Sequence, residues 1–193
     1  MNRAALLFDD SINHLDHLAP FCAQEGIPLI ASDPTIIELA HKYYPHLTLL
    51  ETDLWDLKLP PLVISCQTEA YLRASFPNQT IEACWWLPHG HSDKGWGIFY
   101  FEALKLEKRL LIYGKKMGDC LRQKGIAIES TPLGNFRYRY FQRHAPFYQH
   151  LLRTEFTSLL SRKNFLYAPT WDDAEKSCSL WSCLPPLIEA LPP

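Results

Sequence analysis

Long apolar runs are missing from this 193-residue chain. The longest, such as residues 61–65 and 81–87, fall far short of the roughly 20 residues that a helix needs to cross a bilayer. The sequence therefore predicts no transmembrane helix. The apolar stretch at residues 4–8 is too short for a signal-peptide core and runs directly into Asp9 and Asp10. We therefore expect no export and a cytoplasmic protein.

Cysteine pairs with the spacing of metal or redox motifs are also missing. The chain has six cysteines, but none forms a CxxC pair or a zinc-finger pattern, and several lie in apolar runs. This pattern is typical of reduced thiols in a cytosolic protein. The cysteines are Cys22, Cys66, Cys84, Cys120, Cys178 and Cys183.

A strong overall charge is likewise absent, since the formal net charge is −2, but the charges are unevenly distributed. Residues 1–60 hold nine acidic and three basic side chains, whereas residues 105–163 hold thirteen basic and four acidic ones. The basic section could contact phosphate-bearing substrates or an anionic membrane surface. It could equally be a solvated face. Without a recognised nucleic-acid module, and with a pI of about 6.4, we expect no nucleic-acid partner.

Short apolar segments alternate with segments that have helix-capping residues. Such alternation predicts an α/β fold: a Rossmann-like, mostly parallel sheet flanked by helices. No GxGxxG follows the first strand, so an ordinary dinucleotide site at that turn is not supported. The predicted strands are residues 5–9, 27–31, 47–51, 62–66, 81–87, 109–113 and 126–129. The predicted helices are residues 10–24, 34–44, 68–75 and 116–124.

The richest group of reactive side chains follows the predicted strand at 81–87. The sequence IEACWWLPHGHSDKGW, residues 81–96, passes from strand formers into a corner that carries His89 and Lys94. In an α/β protein, ligands bind at the carboxyl edge of the sheet. We therefore place the candidate site at this corner. A free imidazole has a pKa of roughly 6.5, so His89 could accept a proton near neutrality.

Aromatic and arginine side chains alternate in the section that begins at Phe136. Tyr138, Tyr140 and Phe141 interleave with Arg137 and neighbouring arginines, and a helix is predicted from Ala145-Pro146 onward. Such interleaving could bind a base, a sugar or a lipid headgroup. The favoured interpretation is a helix that packs its aromatic face and leaves its arginines in water.

Four segments, in order along the chain, carry a resemblance to a known family. They are PHGHSDKG (residues 88–95), IYGKKMGDCLRQKG (112–125), GNFRYRYFQRH (134–144) and FLYAPTWDD (165–173). Together they resemble the CDP-glycerol:poly(glycerophosphate) glycerophosphotransferase family, whose members build teichoic-acid-type polymers.

The resemblance implies a GT-B architecture, in which two Rossmann-like domains face each other across a cleft. Residues 1–160 would form the acceptor-side domain, and residues 161–193 the truncated start of the nucleotide-binding domain. His89 corresponds to the histidine proposed as the catalytic base of the family. Gly90 would admit a phosphate close to the backbone, Ser92 and Lys94 would contact anionic oxygens, and Asp93 would orient a neighbour. The weaker donor-side candidates are Thr170, Trp171 and Asp172.

The implied partners are a nucleotide-activated donor, CDP-glycerol or similar, and a polymer or lipid-linked acceptor. Contact with the inner face of the membrane is implied as well, and no cofactor is implied. Because the rest of the donor-binding half is missing from this sequence, we expect activity only when that half is supplied in cis or in trans.

Three alternatives remain open at this stage. A histidine between proline and glycine is often simply a hydrogen-bonded loop residue, and the chain would then be a non-catalytic α/β module that docks an anionic polymer or membrane. A small hydrolase using His89 and His91 is a further possibility. A metal site formed by His89, His91 and Asp93 needs more ligands than the sequence identifies, so no metal is predicted.

Overall fold

The computed structural model describes residues 1–53, 56–90, 102–157, 185–186 and 189. These residues form a seven-stranded sheet in the order β3-β2-β1-β4-β5-β6-β7. Every adjacent pair of strands is parallel. The predicted α/β, Rossmann-like fold is therefore confirmed. The strands are β1 (Arg3–Leu7), β2 (Leu29–Ala31), β3 (Leu49–Glu51), β4 (Leu62–Ser65), β5 (Ala83–Trp86), β6 (Arg109–Ile112) and β7 (Ser130–Pro132).

Capping side chains fix the starts of the helices that follow β1, β2 and β4. The side chains of Ser11, Asp33 and Thr68 each accept the backbone N–H of the residue three positions later. The starts predicted at residues 10–11, 33–34 and 68 are therefore confirmed. The helices are α1 (Ile12–Glu25), α2 (Pro34–Tyr43), α3 (Glu69–Ser75), α4 (Lys115–Gln123), α5 (Phe136–Arg143) and α6 (Ala145–Glu155).

Both faces of the central sheet are buried. In β1, Ala5 and Leu7 belong to one hydrophobic cluster with α1 and α2, whereas Ala4 and Leu6 belong to another with Leu72 of α3. Successive side chains of a strand point to opposite faces. The near-continuous apolar character of this strand in the sequence therefore follows from burial on both sides. A third cluster joins β5 and β6 to α4.

One predicted strand lies in the wrong place. Residues 126–129 are not a strand, and β7 begins only at Ser130. The N–H of Ile126 donates to the carbonyl oxygen of Leu121 at 2.9 Å, so residue 126 closes the end of α4. Gly125 has a φ of 77°, a left-handed conformation that suits glycine at a helix end. The apolar character of Ile126 reflects its burial in the core beside α4.

The aromatic–arginine section is helical, as its favoured interpretation predicted. In α5, Phe136 and Tyr140 are buried, whereas Tyr138, Arg139 and Arg143 are exposed. The predicted division of faces is wrong in two places, because Tyr138 lies in solvent, whereas Arg137 is half-buried and pairs with Asp16.

By compactness the chain divides into two units, Met1–Tyr148 and Gln149–Pro193. The first contains the whole sheet. The predicted domain boundary at residue 160 falls outside the described residues, and it stays a prediction. None of the helices in the described ranges combines the length and apolarity that crossing a bilayer would require.

Candidate functional site

The candidate site lies where the strand order reverses. The chain moves outward from β1 to β2 and β3 on one side, then returns to place β4 on the other side of β1. Because all the strands are parallel, the segments that follow β1, β4 and β5 leave the sheet at the same edge. Ligands of open α/β sheets bind at such a reversal.

His89 lies at this edge, where the sequence predicted it. The N–H of Leu87 donates to the carbonyl oxygen of Ser65 at 2.8 Å, which extends the β4–β5 pairing by one residue beyond β5. Pro88 is buried, and His89 then leaves the sheet half-buried. Gly90 has a φ of 150°, and no described atom lies within 4 Å of the position that a Cβ would occupy. Among the residues that the structure describes, none therefore covers the backbone of Gly90 on that side.

The first turn of α1 contacts residue 89 in two ways. The side-chain amide of Asn13 donates to the carbonyl oxygen of His89 at 3.3 Å. The imidazole ring of His14 lies against that of His89, with 4.8 Å between ring centroids and an interplanar angle of 55°. His14 is only 8% exposed. Consecutive residues of α1 thus contact both the backbone and the ring of His89.

Asp9 joins this group from the turn after β1. Its Oδ1 lies 3.6 Å from Nδ1 of His14 and accepts the N–H of Ser11, while its Oδ2 accepts from Nε2 of Gln67 at 2.9 Å. The contact with His14, supported by Gln67 and Ser11, lowers the pKa of Asp9 to about 2 against the opposing effect of burial. Asp9 is therefore a carboxylate throughout the neutral range.

His89 has a much lower proton affinity than a free imidazole. Burial lowers its pKa to about 4, and the neighbouring His14 and His17 act in the same direction. The backbone of Cys66 and the carboxylate of Asp9 oppose the shift. The imidazole is therefore neutral near pH 7 and able to accept a proton. It is, however, a weaker base than the reference pKa of roughly 6.5 led us to expect.

The structure brings together two of the predicted site residues, His89 and Gly90. Ser92, Asp93 and Lys94 lie outside the described residues, as do His91 and the donor-side candidates Thr170, Trp171 and Asp172. Their roles therefore stay predictions. Within the described part of the chain, no group of three or more His, Cys, Asp or Glu side chains is arranged to hold a metal ion.

Sequence reasoning missed three members of the site: Asp9, His14 and Gln67. A signal for two of them was present. Asp9 is the last residue of one predicted strand and Gln67 directly follows another, and the carboxyl ends of parallel strands meet at one edge. His14 had no comparable signal, because its place depends on how the first turn of α1 packs.

Comparison of the chain with family models, with curated proteins and with solved structures found no match. Fold and site together define a Rossmann-like α/β protein with a neutral imidazole at the carboxyl edge of its sheet.

Proposed function

We propose that this chain is the acceptor-side part of a transferase of the CDP-glycerol glycerophosphotransferase type. It would transfer glycerol phosphate, or a sugar, from a nucleotide-activated donor to a polymer or lipid-linked acceptor. The observation that supports this proposal is the position of His89 at the carboxyl edge of β5, close to the reversal of strand order. The four segments that resemble the family give the proposal its particular chemistry.

In the proposed reaction, a hydroxyl group of the acceptor attacks the phosphorus atom that carries the glycerol of CDP-glycerol. A new P–O bond forms to the acceptor, the P–O bond to CMP breaks, and CMP leaves. His89 takes the proton of the attacking hydroxyl as general base. Its neutral state near pH 7 fits this role, while its low pKa means that much of the rate must come from positioning of the reactants.

The proposed transferase needs a donor-binding half, in cis or in trans. Contact with an anionic membrane surface is a further part of the proposal and rests on the basic section at residues 105–163. Several of its charges are already paired within the described structure: Lys105 with Glu102, Arg109 with Glu129, and both Lys115 and Arg122 with Asp119. These pairs reduce the positive charge available to a membrane.

Transfer of labelled glycerol phosphate tests the proposal. The chain would be combined with the donor-binding half of a glycerophosphotransferase, CDP-glycerol and a short glycerol phosphate acceptor. We expect His89→Gln to lower the transfer rate by about 10²- to 10⁴-fold, the usual contribution of a general base. His41→Gln is the matched control. The side chain of His41 is 61% exposed and pairs with Glu51 of β3, the edge strand on the opposite side of β1 from β4 and β5. Equal rates for His89→Gln and the unmodified chain would refute the role of His89.

Binding of the acceptor can be tested without the donor half. We expect a glycerol phosphate oligomer to shift the imidazole NMR signals of His89, which His89→Gln identifies by their loss. The same oligomer should leave the signals of His41 unchanged. If the signals of both histidines are unaffected, the acceptor-side proposal is wrong.

A second candidate function is a non-catalytic module that docks an anionic polymer. The low pKa of His89 favours it, because general bases work best with a pKa near the working pH. In that case His89→Gln would bind the glycerol phosphate oligomer as tightly as the unmodified chain does. No transfer would be detected with either protein.

A further inference from the structure

The surroundings of His89 form a connected set of side chains from the three segments that meet at the sheet edge. Gln67, after β4, donates to Asp9, after β1. Asp9 lies 3.6 Å from Nδ1 of His14, and the His14 ring packs against His89. His14 is buried, and Asp9 is only partly exposed. These contacts run in sequence from Gln67 through Asp9 and His14 to His89, the candidate base.

We propose that Asp9 and His14 are positioning residues for His89: the Asp9 carboxylate lies 3.6 Å from Nδ1 of His14 without a hydrogen bond, and the His14 ring packs against that of His89. Asn13 supports the same arrangement by holding the carbonyl oxygen of residue 89. The inference rests on the proposed function for its meaning in a reaction. The arrangement itself can be tested on the isolated chain.

The charges around His89 give this pair a measurable effect. On the α1 side, His14 and His17 lower the pKa of His89, in addition to burial. On the β1 side, the Asp9 carboxylate acts in the opposite direction, as does the backbone of Cys66 after β4. Asp9 and His14 therefore influence the same imidazole with opposite signs.

The decisive experiment is an NMR titration of the imidazole of His89 in the full 193-residue chain. In His14→Phe, which keeps a ring but removes both nitrogens, we expect the pKa of His89 to rise, because the lowering effect of His14 is lost. In Asp9→Asn, which keeps the shape of the side chain but removes its charge, the pKa of His89 should fall. His41→Phe is the control for replacing a distant histidine and should leave the titration of His89 unchanged.

Opposite shifts in the two variants would support the positioning pair. Unchanged titration in both would overturn it. A rise in both variants, with circular dichroism and thermal unfolding like those of the unmodified chain, would also overturn it, because the Asp9 carboxylate would then not raise the pKa of His89.

The titration needs no donor, acceptor or transfer, so its outcome is independent of the proposed reaction. If the pKa of His89 shifts as expected in the two variants but no transfer occurs with the donor-binding half present, the proposed function fails. The positioning role of Asp9 and His14 then still stands. If transfer depends on His89 but the pKa of His89 is the same in the Asp9 and His14 variants as in the unmodified chain, the proposed function stands. The proposal that Asp9 and His14 position His89 is then refuted. Where transfer is measurable, the acid limb of its pH profile should move with the pKa of His89 in each variant.

Discussion

Among individual residues, Glu107 is the most unusual carboxyl group in the described structure. It is only 4% exposed, and its Oε1 accepts the N–H of Glu69 in the first turn of α3 at 2.6 Å. Burial raises its pKa to about 7, despite the opposing effects of the Glu69 N–H and the Cys84 thiol. The group thus titrates near neutrality, where it can affect the stability of the fold.

Replacing Glu107 with glutamine should remove a pH-dependent loss of stability. Between the unfolded pKa of about 4.3 and the folded value, the folded chain holds a proton that the unfolded chain has released, so stability falls as pH rises through this window. Glu107→Gln keeps an oxygen to accept the Glu69 N–H and cannot ionise. We expect it to be more stable than the unmodified chain near pH 8, by up to about 3 kcal/mol, with a smaller difference near pH 5.

Urea unfolding at both pH values measures this difference. Glu102→Gln is the matched control, because the Glu102 side chain is 59% exposed and pairs with Lys105 three residues away. It should change stability little at either pH. A difference between Glu107→Gln and the unmodified chain that is the same at both pH values would contradict the assigned titration.

Among the secondary-structure elements, α5 shows how a short helix is held on the sheet. Its first residue, Phe136, stacks on Tyr113 and accepts a hydrogen bond from Gln24 through its carbonyl oxygen. One turn later, the buried hydroxyl of Tyr140 donates to the carbonyl oxygen of Pro45 at 2.8 Å. The helix therefore has anchors on both α1 and the turn that follows α2.

Removing the Tyr140 hydroxyl should weaken the second anchor. Tyr140 is fully buried, so Tyr140→Phe leaves the Pro45 carbonyl oxygen without this donor, at a cost of about 1–3 kcal/mol. Tyr138→Phe is a control in the same helix, because Tyr138 is 57% exposed and its hydroxyl accepts a hydrogen bond from the side chain of Gln142. Thermal or urea unfolding should separate the two variants. Equal losses would show that the Tyr140 hydrogen bond adds nothing specific.

The elements also show which parts of the fold were predictable. The starts of α1, α2 and α3 were found because a cap is a local pattern of a few residues. The strand predicted at residues 126–129 was wrong because an apolar residue that closes a helix resembles one that begins a strand. Ile126 is buried in either case. Its role is decided by one hydrogen bond to Leu121, which the sequence does not reveal.

The site was predictable only in part, for a related reason. His89 and Gly90 were found from their position after a strand. His14 contacts His89 across 75 positions of sequence, and Asp9 is linked to His89 through His14; a contact of such long range follows from strand order. The burial that lowers the pKa of His89 depends on the same packing, so a reference value could not anticipate it.

In the whole molecule, two half-buried or buried groups titrate with opposite effects on stability. The pKa of His89 is about 4, below its unfolded value of roughly 6.5. Between these values the unfolded chain binds the extra proton, so stability rises with pH. Glu107 has the reverse effect across nearly the same window, because its pKa of about 7 lies above the unfolded value. His17, whose pKa is also lowered by burial, adds to the effect of His89.

The stability of the unmodified chain should therefore rise only moderately between about pH 4.5 and pH 6.5, because Glu107 offsets part of the rising contributions of His89 and His17. Glu107→Gln removes the falling contribution, so its stability should rise clearly with pH over this range. His89→Gln removes part of the rising contribution, so its stability should fall with pH, or rise less than in the unmodified chain. The double variant should return to a shallow slope. Urea midpoints of the four proteins, measured across this pH range, test these expectations. If the midpoint changes with pH in the same way in all four proteins, neither Glu107 nor His89 has the shifted pKa that its burial requires.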